Sequence, residues 1–128
     1  MILDTSALVA VFLEEPGAEE LVDKLGAAET IAIAAPTLVE AGIVLTARVG
    51  DEAQALLSQF LTEFGVVTVP FGDAHWRAAV DAYRRFGKGR HQAALNFGDC
   101  MSYAAAKLAG QPLLCTGRDF RQTDLALA

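Results

Sequence analysis

Met1-Ile2-Leu3-Asp4-Thr5-Ser6-Ala7-Leu8 opens the chain, and its reading decides the fold. Three apolar residues stop at an acid, two hydroxyl residues follow, and the apolar character resumes at Ala7. This order predicts a short buried strand ending at Asp4. Ser6 is then placed to cap a helix running to about Glu14, where Pro16-Gly17 breaks it. In parallel α/β sheets, ligands sit in the crevice beyond the carboxyl ends of the strands. A strand that ends on a carboxylate therefore marks both an element and a candidate site.

Working outward, strands and helices alternate. Glu19 to Leu25 presents Leu21, Val22 and Leu25 as one apolar face. Ile31 to Ala34, bounded by Thr30 and Pro36, reads as a strand. Pro36 suits the start of a helix that continues to about Val49. Gly50-Asp51 interrupts it, with Asp51 placed to cap a helix ending near Phe64. There Leu56, Leu57, Phe60, Leu61 and Phe64 follow a 3.6-residue period. Val66 to Val69 is a third strand, and Asp73 is placed to cap a helix using Trp76, Val80 and Tyr83. Asn96-Phe97-Gly98-Asp99 opens another helix, which stops at Gly110-Gln111-Pro112. Leu113 to Thr116 is a fourth strand, and a short polar tail follows. The pattern predicts one α/β domain over residues 1–128, a central parallel sheet of four or five strands with helices on both faces.

Composition narrows the class. With 53% hydrophobic and 20% charged residues, a chain of 128 is rich enough in apolar groups to build a core and argues against disorder. Cys100 and Cys115 alone form neither a disulfide scaffold nor a zinc knuckle, and they fit a reducing compartment. Ala7 to Leu13 lacks the basic leader of a secretion signal, and no apolar run approaches the ~20 residues that span a bilayer. The expectation is a soluble, cytoplasmic protein without a membrane partner. The net charge of −6 excludes nucleic-acid binding by bulk attraction, so a polyanionic substrate needs a bound cation or a local basic patch. Arg84, Arg85, Lys88, Arg90 and His91 form one such patch, with a solvated helix end as its plainer reading.

Four acids stand out. Asp4 follows the first strand, Asp119 lies three residues beyond Thr116, and Asp99 sits in the first turn of its helix. Each has an ordinary role available: a helix cap, a loop acid and a complement to the helix dipole. Glu40 is harder to explain that way. Ile43, Val44 and Ala47 share its helix face and Leu38, Leu45 and Val49 occupy the other, so its charge needs a partner or an outlet. Carboxylates reaching one sheet edge from separate segments suit a hard divalent cation. Two of them ~5 Å apart repel by roughly 3 kcal/mol at an effective dielectric of ~20, which favours a metal site over coincidence. A cation held at such a site polarises a bound phosphate oxygen and makes a bound water more acidic. His75 and His91 are isolated, and no Ser/His/Asp or Cys/His pattern is visible.

The same residues resemble a known family. Ile2-Leu3-Asp4-Thr5-Ser6-Ala7-Leu8 is similar to the opening motif of PIN domains, in which the acid binds metal and the hydroxyl two residues later supports it. Pro36-Thr37-Leu38-Val39-Glu40 resembles the second motif. Asn96-Phe97-Gly98-Asp99-Cys100 resembles the form found in VapC toxins, and Leu114-Cys115-Thr116-Gly117-Arg118-Asp119-Phe120 resembles the fourth motif. The resemblance covers the whole chain in order. It implies the toxin of a VapBC toxin–antitoxin pair: a Mg²⁺- or Mn²⁺-dependent endoribonuclease, dimeric, inhibited by a VapB-like antitoxin. By position it implies Asp4, Glu40, Asp99 and Asp119 as the catalytic acids, Asp4 and Asp99 first among the metal ligands, and Ser6 and Thr116 as supporting hydroxyls. Asp124 competes with Asp119 for the fourth place, and Asp119 is preferred because it lies inside the matching motif.

Three other readings compete. A haloacid-dehalogenase-type phosphatase needs a second Asp two residues after the first, where this chain has Ser6. A receiver-like phosphoacceptor needs adjacent acids before its strand-end Asp. An inert PIN-like interaction module does not need all four acids.

Overall fold

In the computed structural model, which describes residues 1–128, the opening stretch forms β1 (Ile2–Leu3) and then α1 (Thr5–Phe12). Next come α2 (Ala18–Ala27), β2 (Ala32–Ala34) and α3 (Ala35–Val49). α4 (Ala53–Glu63), β3 (Val67–Val69) and α5 (Asp73–Phe86) follow. α6 (Phe97–Ala109), β4 (Leu113–Leu114) and a 3-10 turn at Asp119–Gln122 complete the chain. The four strands are parallel and lie in the order β3-β2-β1-β4. Chain growth runs outward from β1 through β2 to β3, then returns to β1's other side with β4. The crevice expected of a doubly covered parallel sheet opens where that direction reverses, between β1 and β4.

Strand alternation divides the core into two layers. Ile2, Ala32, Ala34 and Leu113 face one layer, built with Ala79, Ala82 and Phe86 of α5 and Tyr103 to Ala106 of α6. Leu3, Ile33 and Leu114 face the other, built with α1, α2, α3 and α4. The register pairs like with like, Ile2 with Ala32 and Leu113, Leu3 with Ile33 and Leu114. A slip of one residue would turn each set toward the wrong layer.

Several local expectations are corrected. Ser6 does not cap α1; Asp4 does, accepting from the Ser6 backbone N–H at 3.0 Å. Asp73 is the first residue of α5 rather than its cap, because its Oδ1 accepts from Trp76 Nε1 at 3.2 Å while extended Gly72 stands before it. Asp51 caps nothing, since α4 is entered through a turn in which Ala53 N–H donates to Gly50 at 3.1 Å. The fourth strand ends at Leu114, two residues early. The polar tail is partly apolar in effect: Leu125 and Leu127 pack on the core, and Leu127 bridges Leu113 in parallel along the free edge of β4. That isolated bridge covers part of an edge that would otherwise offer unpaired backbone groups, and the sheet itself has four strands. No helix is long and apolar enough to cross a membrane.

Candidate active site

Asp4 stands at the carboxyl end of β1 and is only 4% exposed. Burying a carboxylate requires donors, and it has three. Its Oδ2 accepts from Ser6 N–H at 3.0 Å and Ser6 Oγ at 2.5 Å, and its Oδ1 accepts from Ser102 Oγ at 2.6 Å. Ser6 Oγ accepts in turn from the Thr116 backbone N–H at 3.0 Å, which ties the exit of β4 to the exit of β1. Ser102 is itself held by Thr37 Oγ1 at 3.2 Å, from α3. Four segments thus fix one carboxylate, and of its roughly four lone-pair sites one is left for a further partner.

Asp99 arrives from the first turn of α6. Asn96 caps the helix through Asp99 N–H at 2.9 Å, and Asp99 Oδ2 accepts the Asn96 N–H at 3.0 Å. Half of the side chain is a capping box, where the plainer reading supposed only a complement to the helix dipole, and the other oxygen has no protein donor. Burial pushes the Asp99 carboxyl up to about 6, against the Asn96 hydrogen bond that lowers it and with the charges of Asp4, Asp119 and Glu40 adding to the rise.

Glu40 projects from the second turn of α3, half-buried, with no hydrogen-bonding or ionic partner in the protein. No arginine or lysine neutralises it. Its carboxylate lies against Gly98 of α6, where an added Cβ would meet Glu40 Oε2 at 1.8 Å. Gly98 is therefore the seat of this carboxylate. Asp119 stands exposed in the 3-10 turn, near enough to act on Asp99 electrostatically.

Asp4, Glu40 and Asp99 line a cavity of about 300 Å³ together with Ser6, Thr116 and Glu15. None of the protein's ion pairs involves any of these acids or Asp119. The competing fourth acid, Asp124, belongs to a different structure. It accepts from Tyr103 OH at 2.6 Å, Lys107 Nζ at 2.8 Å and Arg85 Nη2 at 3.4 Å. Burial would raise its carboxyl, but the Lys107 and Tyr103 hydrogen bonds and the nearby cations hold it down at about 2. The two histidines serve local structure: His75 Nδ1 accepts from Gly72 N–H, and His91 Nδ1 accepts from Ala93 N–H. Burial pushes the Cys100 and Cys115 thiols up to about 11, too high for a nucleophile at neutral pH. Two of the five members of the suspected basic patch are committed to ion pairs, Arg84 to Asp81 and Arg85 to Asp81 and Asp124.

Sequence reasoning missed Ser102, Thr37, Gly98 and Glu15. Ser102 left a signal, a lone hydroxyl one turn beyond Asp99 on an otherwise apolar helix stretch. Gly98 left another, a poor helix former inside a first turn. Glu15 left none.

Fold and site together define an α/β protein whose sheet opens on a cleft of carboxylates that no side-chain cation neutralises. The chain belongs to the PIN-domain family, whose model matches residues 1–125. It is 48% identical over 126 residues to Ribonuclease VapC36 of Mycobacterium tuberculosis, an alignment covering 98% of this chain and 91% of that protein. Its fold is similar to the crystal structure of VapC20 from Mycobacterium tuberculosis, described as a Sarcin-Ricin loop cleaving toxin. There the TM-score is 0.80 at 15% identity, covering 99% of this chain and 97% of the other. It is also similar, with a TM-score of 0.75 at 17% identity over 99% of this chain and 96% of the other, to VapBC2 from Rickettsia felis, solved bound to a promoter DNA fragment.

Proposed function

We propose that this chain is the toxin of a type II toxin–antitoxin pair and cleaves RNA as a metal-dependent endoribonuclease, with Asp4, Glu40, Asp99 and Asp119 as its working acids. The observation that carries the reading is the unneutralised cluster. Asp4, Glu40 and Asp99, from three segments, line one cleft with Asp119 in electrostatic reach, and burial pushes Asp99 to about 6 with the neighbouring acids adding to the rise. The VapC relatives support the reaction class.

The donor set fits a hard divalent cation, Mg²⁺ or Mn²⁺. All the groups are carboxylate oxygens, and Asp4 and Asp99 each keep an oxygen site that the protein does not use. No three acid, histidine or cysteine side chains are poised to hold an ion unaided. Magnesium takes one or two carboxylates and keeps several waters, a demand that Asp4 and Asp99 could meet between them. When bound, the cation supplies Lewis-acid polarisation of the phosphodiester and makes the attacking water more acidic. The protein's part is positional. Ser6, Ser102 and, through Ser102, Thr37 lock Asp4 in one rotamer. Gly98 lets the Glu40 carboxylate approach Asp99, where it is free to accept a proton from water. Thr116 closes the cleft floor through its backbone, and Asp119 guards the rim.

A VapB-like antitoxin partner is supported by similarity to VapBC2 and to a toxin–antitoxin complex from Klebsiella pneumoniae. A homodimer is supported by apolar surface that the single chain leaves open, with Trp76, Val80, Tyr83 and Phe97 all exposed. A cytoplasmic site of action belongs to the same proposal, supported by two unpaired thiols. The test is incubation of the purified chain with RNA. Cleavage with Mg²⁺ or Mn²⁺ that stops on EDTA addition is expected, and equal cutting in EDTA would overturn the metal mechanism. An inert interaction module would cut in neither condition.

A further inference from the structure

RNA brings one negative charge per nucleotide to a protein of net charge −6, into a cleft of unneutralised acids. A divalent cation offsets the charge at one phosphate. The flanking phosphates need side-chain cations, and four of the chain's ten are already held in ion pairs. Lys24, Arg84, Arg85 and Lys107 are engaged in ion pairs. Among the unpaired ones, Arg118 and Arg121 alone bracket a proposed working acid.

The 3-10 turn that carries them has three sides. Phe120 points into the core, 4% exposed, and Thr123 closes the turn behind it through Oγ1 to Phe120 O at 2.7 Å. Asp119 lies within electrostatic reach of Asp99. Arg121 N–H donates to Arg118 O at 3.1 Å, and in a 3-10 turn side chains three residues apart eclipse. Arg118 and Arg121 thus sit at the two ends of one 3-10 hydrogen bond, both exposed, and neither forms an ion pair with Asp119. Arg121 is also close to Cys115 at the exit of β4, where its charge opposes the upward push on that thiol.

We propose that Arg118 and Arg121 form a phosphate grip that holds the RNA backbone beside the bond to be cut. The inference rests on the endoribonuclease reading above. A guanidinium suits the task because it forks onto two phosphate oxygens and keeps its charge at every physiological pH. An anchored turn that carries both forks holds them close to Asp119, so a strand gripped there is also registered along the cleft.

The experiment measures cleavage of a single-stranded RNA oligonucleotide across a salt series by wild type, Arg118→Ala, Arg121→Ala and the double variant. Arg48→Ala is the control. It removes the same charge from α3, about 12 Å along the helix axis from Glu40. Each single variant should raise KM on the order of ten-fold with kcat nearly unchanged. Removing one guanidinium from its phosphate should flatten the dependence of log affinity on log salt by about 0.7, so by about 1.4 in the double variant. Arg48→Ala should leave slope and KM as in wild type, and Arg118→Lys/Arg121→Lys should keep most of the slope. Unchanged slope and KM in the double alanine variant, or an equal effect from Arg48→Ala, would overturn the grip while leaving the endoribonuclease reading intact. Failure of wild type itself to cut RNA with Mg²⁺ or Mn²⁺ would overturn both.

Discussion

Gly98→Ala is the substitution that separates the site from the fold most sharply. The new Cβ would stand 1.8 Å from Glu40 Oε2, 2.7 Å from its Cδ and 2.9 Å from Oε1. Ordinary contact needs about 3.5 Å, so the carboxylate must retreat by about 1.5 Å or more. The atoms displaced are the far end of a flexible side chain with no hydrogen bond to lose, so the retreat costs the fold little. Alanine is also the better helix former, worth up to about 1 kcal/mol over glycine in a helix interior and less in a first turn. The expected variant is as stable as wild type or slightly more so, yet crippled. A misplacement of about 1 Å in a positioned group costs on the order of 100-fold in rate.

The assay is RNA cleavage at saturating Mn²⁺, paired with thermal melting. Glu40→Gln supplies the second arm, because if the glycine acts through Glu40, then Gly98→Ala in a Glu40→Gln background should cost nothing further. Partial recovery in Gly98→Ala/Glu40→Asp, whose shorter side chain clears the methyl, would strengthen the assignment. Cleavage within three-fold of wild type, or additive losses in the double variant, would refute the reasoning that Gly98 exists to seat Glu40.

Asp99→Asn should abolish cleavage without lowering the melting temperature of the metal-free protein at pH 8, since an amide oxygen still accepts the Asn96 N–H and like charge is removed. The acid is held near 6 in the fold against about 4 unfolded, so its contribution is present below pH 4 and lost as pH rises to 6. Between pH 4 and 6 the metal-free wild type should therefore lose on the order of 1–2 kcal/mol relative to this variant, after allowance for solvent screening. Asp4→Asn should abolish cleavage and also destabilise by about 1–3 kcal/mol, because an amide group would face hydroxyl or N–H donors. Asp119→Asn should reduce turnover at unchanged stability, and Asp124→Asn should do the reverse, costing up to about 1 kcal/mol above pH 4. Asp124 is held near 2 in the fold, so wild type loses this contribution as pH falls from about 4 to 2, a limb that Asp124→Asn should lack; the opposite ranking of turnover would move the site to Asp124. An antitoxin segment carrying Arg should bind more weakly as Mg²⁺ rises and more weakly to Asp99→Asn, and indifference to both would place inhibition outside the acid cleft.

What could be read from the sequence was whatever local boundaries control. Asp4 and Asp99 sit where a strand or a cap ends, and periodicity places such ends well enough to bring both to one edge. Glu40 was legible because a charge on an apolar helix needs a reason. Ser102 and Gly98 left faint local signals, but their roles, like that of Thr37, come from the crossing of α3 over α6, and no local pattern encodes that crossing. The strand order β3-β2-β1-β4 was likewise outside periodicity, which predicts a parallel sheet but not its sequence of neighbours. The misplaced caps share one cause. Asp51 and Asp73 are good cap residues, but a turn already supplies the backbone partners at one and Trp76 captures the carboxylate at the other.

The capping roles of Asp4 and Asp99 and their proposed roles at a metal are not rival explanations, because they use different atoms. Asp99 caps with Oδ2 and leaves its other oxygen unpartnered. Asp4 caps α1 through Oδ2 and is braced from α6 through Oδ1. Each therefore lies at the positive end of a helix dipole, worth roughly 0.3–1 kcal/mol to an anion and more where partly buried. Two such dipoles offset part of the repulsion that gathering the acids creates. They do so with backbone groups, which occupy no space in the cleft, whereas an arginine or lysine doing the same work would fill it. This is how the fold tolerates a cluster with no side-chain counter-ion and keeps the middle of that cluster open for the proposed cation and phosphate.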